Sequence, residues 1–137
     1  MIAMPDGIQW TVLVAGDLTD GRFAVIEARE RRGDGPPRHV HSREDEFIYV
    51  LEGEVTFERE GERYTASPGM WLFLPRGSQH RFSVESSEAR LLVMLAPAGI
   101  EGWLRNLRLP APATAEPNTV EHLVSTAARY GVAITGA

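Results

Sequence analysis

The sequence predicts an all-β protein, a sandwich, jelly roll or barrel, carrying two α-helices at its C-terminal end. Three observations lead there. Short runs rich in β-branched and aromatic residues recur at close spacing up to about Ala96, each bounded by turn-forming residues. Several of these runs alternate apolar and polar, as in Val55-Thr56-Phe57-Glu58, which is the period of a half-buried strand. After Pro97 the apolar period lengthens to that of a helix. At 137 residues the chain fits one domain, 1–137, with a β core over about 8–96 and a helical extension over about 97–131.

The elements follow in order. Ile8 to Val14 reads as a strand, with Asp17 to Gly21 as the turn after it. Arg22 to Arg29 forms a second strand that ends in the polar Arg31 to Pro37 segment. His39 and His41 belong to a short strand, and Ser42 to Asp45 is a turn. Glu46 to Glu52 is a strand by residue type, stopped by Gly53. Val55 to Glu58 and Arg63 to Thr65 make a hairpin about Glu60-Gly61. Met70 to Leu74 is a continuous apolar run between Pro68-Gly69 and Pro75, as expected of a buried strand. Gln79 to Val84 and Arg90 to Leu95 complete the set. In the tail, Ile100, Trp103, Leu104 and Leu107 share one helical face over Pro97 to Leu107. A Pro- and Ala-rich connector, Leu109 to Pro117, leads to a second helix capped by Asn118 or Thr119, with Gly131 as its stop.

Composition removes whole classes of function. A net charge of −5 with no basic stripe argues against nucleic-acid binding, since Arg29, Arg31 and Arg32 are interleaved with Glu27, Glu30 and Asp34. The absence of cysteine excludes disulfides, thiolate metal sites, iron–sulfur clusters and cysteine nucleophiles. Met1 to Trp10 lacks the features of a signal peptide, and no apolar stretch approaches a membrane span. A cytoplasmic protein with no membrane partner is the expectation. No phosphate loop, dinucleotide fingerprint or serine–histidine–acid arrangement stands out.

What does stand out is a pair of punctuated patterns, Gly33-x5-His39-x-His41-x4-Glu46-x6-Gly53 and Gly69-x5-Pro75-x-Gly77-x2-His80. Side chains at i and i+2 of a strand point to the same face, with Cα atoms roughly 6.5–7 Å apart. His39 and His41 can therefore lean toward one ion between them, at roughly 2.0–2.1 Å from each nitrogen if it is zinc. The turn before Glu46 lets the chain double back, so that this carboxylate starts the adjacent strand facing the same cavity. The Gly-Pro frame of the second pattern delivers His80 on a later strand. Among the acidic run, Glu46 is preferred as ligand because it opens the hydrophobic strand, while Glu44 and Asp45 read as turn residues. His122, beside Glu121 in the second helix, reads as a surface residue.

At this point the chain resembles the cupin superfamily, both of whose motifs are matched over Gly33 to His80. The fifteen-residue interval between Gly53 and Gly69 is similar to that of compact single-domain bacterial members, and the tail, with Tyr130 to Val132, to small cupins labelled quercetin-dioxygenase-like. The resemblance implies a double-stranded β-helix barrel with His39, His41, Glu46 and His80 as metal ligands. It also implies a homodimer, paired through sheet faces or through an exchanged N-terminal strand, for which Ile8 to Val14 is available. One position departs from the family pattern: Val84 stands where the second motif often ends in Asn. That Asn is not a metal ligand, so the ligand set is untouched, and an apolar wall there suits a hydrophobic ligand.

Three neutral imidazoles and one carboxylate leave a six-coordinate divalent ion two open positions, room for a substrate oxygen and for dioxygen. The same set can act as a Lewis acid without redox change, and Fe, Mn, Ni, Cu and Zn all accept it. The expected function is a metal-dependent dioxygenase acting on a small apolar, aromatic or enolisable substrate. The alternatives are a non-redox isomerase, cyclase or decarboxylase, and a small-molecule-binding protein without turnover. Glu46 is the one candidate acid/base. Parity and apolar character nominate Ile48, Phe57, Phe73, Phe82, Val84 and Met94 for the substrate pocket, with Val50 and Trp71 behind them.

Overall fold

A computed structural model describes residues 2–3, 9–106 and 120–136 of the chain. Its strands are β1 (Ile2–Ala3), β2 (Gln9–Val14), β3 (Ala24–Arg31), β4 (His39–His41), β5 (Asp45–Glu52), β6 (Val55–Arg59), β7 (Glu62–Ala66), β8 (Trp71–Leu74), β9 (Gln79–Val84), β10 (Glu88–Ala96) and β11 (Val132–Ile134). Two helices, α1 (Glu101–Asn106) and α2 (Val120–Arg129), lie between β10 and β11. The six-stranded sheet runs β1-β2-β3-β10-β5-β8 and the five-stranded sheet runs β11-β4-β9-β6-β7. Every pairing is antiparallel, and successive strands repeatedly change sheet, as the crossovers β3 to β4, β4 to β5 and β5 to β6 show. Each sheet buries its inward face against the other, which is the two-layer solution open to an amphipathic β-sheet.

Strict alternation explains why these segments settle as strands. Along β3, Ala24, Ile26, Ala28 and Glu30 are buried, while the intervening residues are half-buried or exposed. β5 repeats this with Glu46, Ile48 and Val50 inward, and β9 with His80, Phe82 and Val84. The inner faces form two connected apolar groups. One, built on Ile48, Val50, Val55, Phe57, Val84 and Leu91, fills one end of the barrel. The other, Ile26, Leu95, Ile100, Ala127 and Val132, lies where the C-terminal elements meet the sheets.

The expected strands are all present, and β2 pairs with β3 of its own chain. The tail differs from expectation in two respects. Helix α1 begins at Glu101 rather than Pro97, with Ile100 buried just ahead of it. Leu107, the connector 109–117 and the proposed caps Asn118 and Thr119 fall outside the described residues. After Gly131 the chain does not simply end its helix but returns as β11, which pairs with β4 in the register Val132↔His41 and Ile134↔His39. Gly131 makes that return possible. Its φ is +77°, and a Cβ there would come within 2.7 Å of Ser42 Oγ. Three residues were too short a run, directly after a helical pattern, to announce a strand.

Candidate metal centre

The four candidate ligands come from three strands that meet at one end of the barrel. β4 carries His39 and His41 inward, with Val40 turned the other way. β9 pairs with β4 so that His80 sits directly across from His39. Gly77 holds the approach to β9: its φ is +84°, and its N–H donates to His41 O at 2.8 Å, fastening the second motif to the first. Glu46 reaches the same spot from β5 of the opposite sheet.

All four side chains are buried, and one donor atom from each lies within 4.8 Å of the other three. Glu46 Oε2 is 3.1 Å from His80 Nε2 and 3.3 Å from His41 Nε2. Two donors bound to a common ion at about 2.1 Å stand about 3 Å apart at a right angle and about 4.2 Å apart across it. The spacing therefore suits a six-coordinate divalent ion, slightly expanded. Glu46 Oε2 and His80 Nε2 are fully shielded from solvent, yet neither makes a hydrogen bond of acceptable geometry. Buried polar atoms left in that state are costly, and a cation between them removes the cost. The residues present fit a metal.

The outer nitrogens of the imidazoles are also arranged for this. His39 Nδ1 lies 2.7 Å from Pro37 O and His80 Nδ1 lies 3.1 Å from Ser78 O. A carbonyl can only accept, so both rings carry their proton on Nδ1 and direct a free Nε2 lone pair inward. Behind His41 lies a carboxylate instead, Glu44 Oε2, at 3.3 Å from Nδ1, an ion-pair distance without hydrogen-bond geometry. Glu44 is 3% exposed. The sequence reading placed it in a turn, where it does lie, but its side chain folds inward behind His41. The missed signal was its i+3 spacing from that histidine.

The electrostatics differ between the imidazoles of the metal-free cluster. Burial, reinforced by the neighbouring His80, lowers the His39 pKa from 6.5 to about 4, so the ring is uncharged at neutral pH. Burial also works against charge on His41, but Glu44 and Glu46 outweigh it and raise its pKa. For Glu46 burial pushes the pKa up, while His80 and the charge favoured on His41 overcome this and hold it below the usual carboxylate value. Glu46 is thus kept ionised in a place where an isolated carboxylate would not be.

Beside the cluster the barrel opens into a cavity of about 110 Å³. His39, His41 and Glu46 form one patch of its wall; the rest is apolar, including Trp10, Phe82, Val93, Ile100, Trp103 and Val132. Of the residues nominated from sequence, Phe82 alone lines it. Ile48, Phe57 and Val84 are buried deeper, in the filled end of the barrel. Phe73 and Met94 are on the outside, exposed by 45% and 39%, as is Trp71. The reason is parity: Leu74 and Leu95 take the inward positions of β8 and β10, so their neighbours must face out. In unbroken apolar runs such as Trp71 to Leu74, sequence gives no sign of which half faces inward. Trp10, Ile100, Trp103 and Val132 were missed as cavity residues because they come from elements that only tertiary folding brings to the site. The side chain of His122 lies outside the described residues.

With two antiparallel sheets closing on a buried three-histidine, one-carboxylate cluster, the molecule is a β-barrel with a candidate metal site. The family described as "Cupin domain" matches residues 27–96, half of the chain, and the protein belongs to that family. Among characterised relatives, it is 29% identical over 99 residues to quercetin 2,3-dioxygenase of Bacillus subtilis (strain 168), covering 72% of this chain and 29% of that protein. It is 31% identical over 87 residues to polyketide synthase CurC of Streptomyces cyaneus, covering 63% of this chain and 56% of the relative. The chain thus spans under a third of the first and little over half of the second. KdgF from Halomonas sp. has a similar structure, with a TM-score of 0.67 at 22% identity over 74% of this chain and 88% of that one. No described helix is long and apolar enough to cross a membrane.

Proposed function

We propose that this protein is a metal-dependent cupin enzyme, a dioxygenase acting on a small apolar, aromatic or enolisable molecule held in the cavity beside the cluster. The observation that carries the reading is the buried, unsatisfied pair Glu46 Oε2 and His80 Nε2 within a four-residue cluster, of which His39, His41 and Glu46 also line an otherwise apolar chamber. The similarity to quercetin 2,3-dioxygenase supports it. His39, His41, Glu46 and His80 would hold the ion, which supplies Lewis acidity and, for a redox-active metal, access to dioxygen chemistry. The chain's own contribution is positional. Pro37 O and Ser78 O fix two of the rings, Glu44 lies behind the third, and the apolar wall offers no hydrogen bonds to water beside the reacting face. Glu46, held ionised, is the carboxylate among the described cavity residues and is placed to exchange a proton with a ligand at the site.

Elemental analysis of the purified protein, followed by oxygen uptake with Fe, Mn, Ni or Cu and a panel of enolisable and aromatic substrates, tests this. Uptake that disappears in His41→Ala supports a dioxygenase; turnover unchanged under strict anoxia refutes it. A second reading, a non-redox isomerase, cyclase or decarboxylase, draws support from the similarity to a polyketide synthase protein. Its mark is a product formed without oxygen, of unchanged mass or lighter by one carbon dioxide.

A further inference from the structure

The cavity has a composition that selects among ligands. Among the described residues, its charged or titratable lining is His39, His41 and Glu46, all of the candidate metal set, and no arginine is among them. A carboxylate or phosphate remote from the ion would be desolvated with no cationic partner among the described lining residues. The volume of about 110 Å³ is below the roughly 150 Å³ of an apolar cavity known to hold benzene, so the cavity has room for one six-membered ring at most.

Two indoles, Trp10 and Trp103, stand in the wall, both half-buried and both packed on the apolar group of Ile26, Leu95 and Ile100. Their polar atoms are engaged elsewhere. Trp103 Nε1 donates to Thr126 Oγ1 of α2 at 2.9 Å, and Trp10 Nε1 donates to Glu30 Oε1 at 3.3 Å. Neither acceptor lines the cavity. The indoles therefore offer it carbon surface, suited to offset or edge-to-face contact with another ring. Both tryptophans also lie outside residues 27–96, the segment shared with the cupin family, whereas the four candidate ligands lie inside it.

We propose that Trp10 and Trp103 form a slot for a single uncharged aromatic ring whose oxygen substituents point to the His/Glu cluster, and that Trp103, steadied by Thr126, is the specificity-determining residue. This rests on the metal-site reading above for the placement of the oxygens, and on the cavity alone for the ring.

Zinc, being redox-inactive and diamagnetic, separates binding from turnover. In zinc-loaded protein the three tryptophans give three indole N–H resonances, and Trp71, 62% exposed on the outer sheet face, serves as the internal reference. Catechol should shift the Trp10 and Trp103 resonances and leave Trp71 in place. Oxalate, which offers the metal two oxygens but no ring, should shift neither indole by contact of comparable size. Trp103→Leu should weaken catechol by about tenfold or more while leaving zinc content and oxalate affinity unchanged, and Thr126→Val should weaken catechol by a smaller factor. Catechol binding unaffected by Trp103→Leu, or an equal loss for catechol and oxalate, overturns the proposal. If the protein takes up no zinc, the metal reading falls, and the ring slot is judged by whether toluene shifts the same two indoles.

Discussion

The two ends of the barrel are built from the same strands and do opposite things. Along β5 the inward residues run Glu46, Ile48, Val50, and along β9 they run His80, Phe82, Val84. At one end the sequence places aliphatic and aromatic side chains that interdigitate until no room is left: Ile48, Val50, Val55, Val84 and Leu91 are at most 1% exposed. At the other end polar ligand atoms replace the methyl groups, and Trp10, Ile100, Trp103 and Val132 close the space from outside the two motifs, leaving a chamber. The filled end supplies the rigidity that lets four donors wait, unsatisfied, in a fixed arrangement. Stability and chemistry are thus separated by one or two residues along each strand.

Perturbing each end should therefore give distinct signatures. The largest effect is expected from His80→Ala, which removes a donor facing both Glu46 and His39: metal content should fall from one equivalent to near zero while the circular dichroism spectrum and cooperative unfolding persist. Loss of the fold along with the metal would show that the two ends are not separable. At the filled end, Phe57→Ala should cost about 3–5 kcal/mol in chemical denaturation, yet leave metal bound per folded molecule unchanged. Glu44→Gln probes the boundary between them. It keeps the size of the side chain but removes the charge behind His41 Nδ1, and should weaken metal affinity by about 10–100-fold in competition with a chelator.

A further effect concerns acid in the metal-free protein. His39 has its pKa lowered from 6.5 to about 4 in the folded state. Below 6.5 the unfolded chain takes up a proton that the folded chain refuses, so this group's contribution is intact above pH 6.5 and declines as the pH falls to about 4. Denaturant midpoints measured across that window should drop more steeply for the native sequence than for His39→Gln. Equal slopes would mean that His39 does not remain neutral on burial.

Much of this was readable in advance because it depends on local rules. Strand period fixed which side of β5 and β9 faces inward, and Gly77 and Gly131 marked turns that need a positive φ. Alternation cannot report depth, however. Ile48 and Val84 share a face with the ligands and were nominated for the pocket on that ground, yet they sit below it in packed core. It also fails inside uninterrupted apolar runs, which is how Phe73 and Met94, residues of the outer surface, were placed inside. Glu44 went unrecognised for a different reason: a carboxylate in a turn is ordinarily solvated, and only the fold of the loop onto His41 buries it.

By itself the sequence determined the strands, the all-β class and the identity of the four clustered side chains, because each follows from residue type and short-range spacing. Only the tertiary structure decided where the barrel is full and where it is hollow. That depends on which distant elements close each end, and here α1 and β11, from the far end of the chain, bring Trp103, Val132 and Ile134 against a site whose ligands lie within residues 39–80. Volume left over is a property of the whole packing, and no local pattern encodes it.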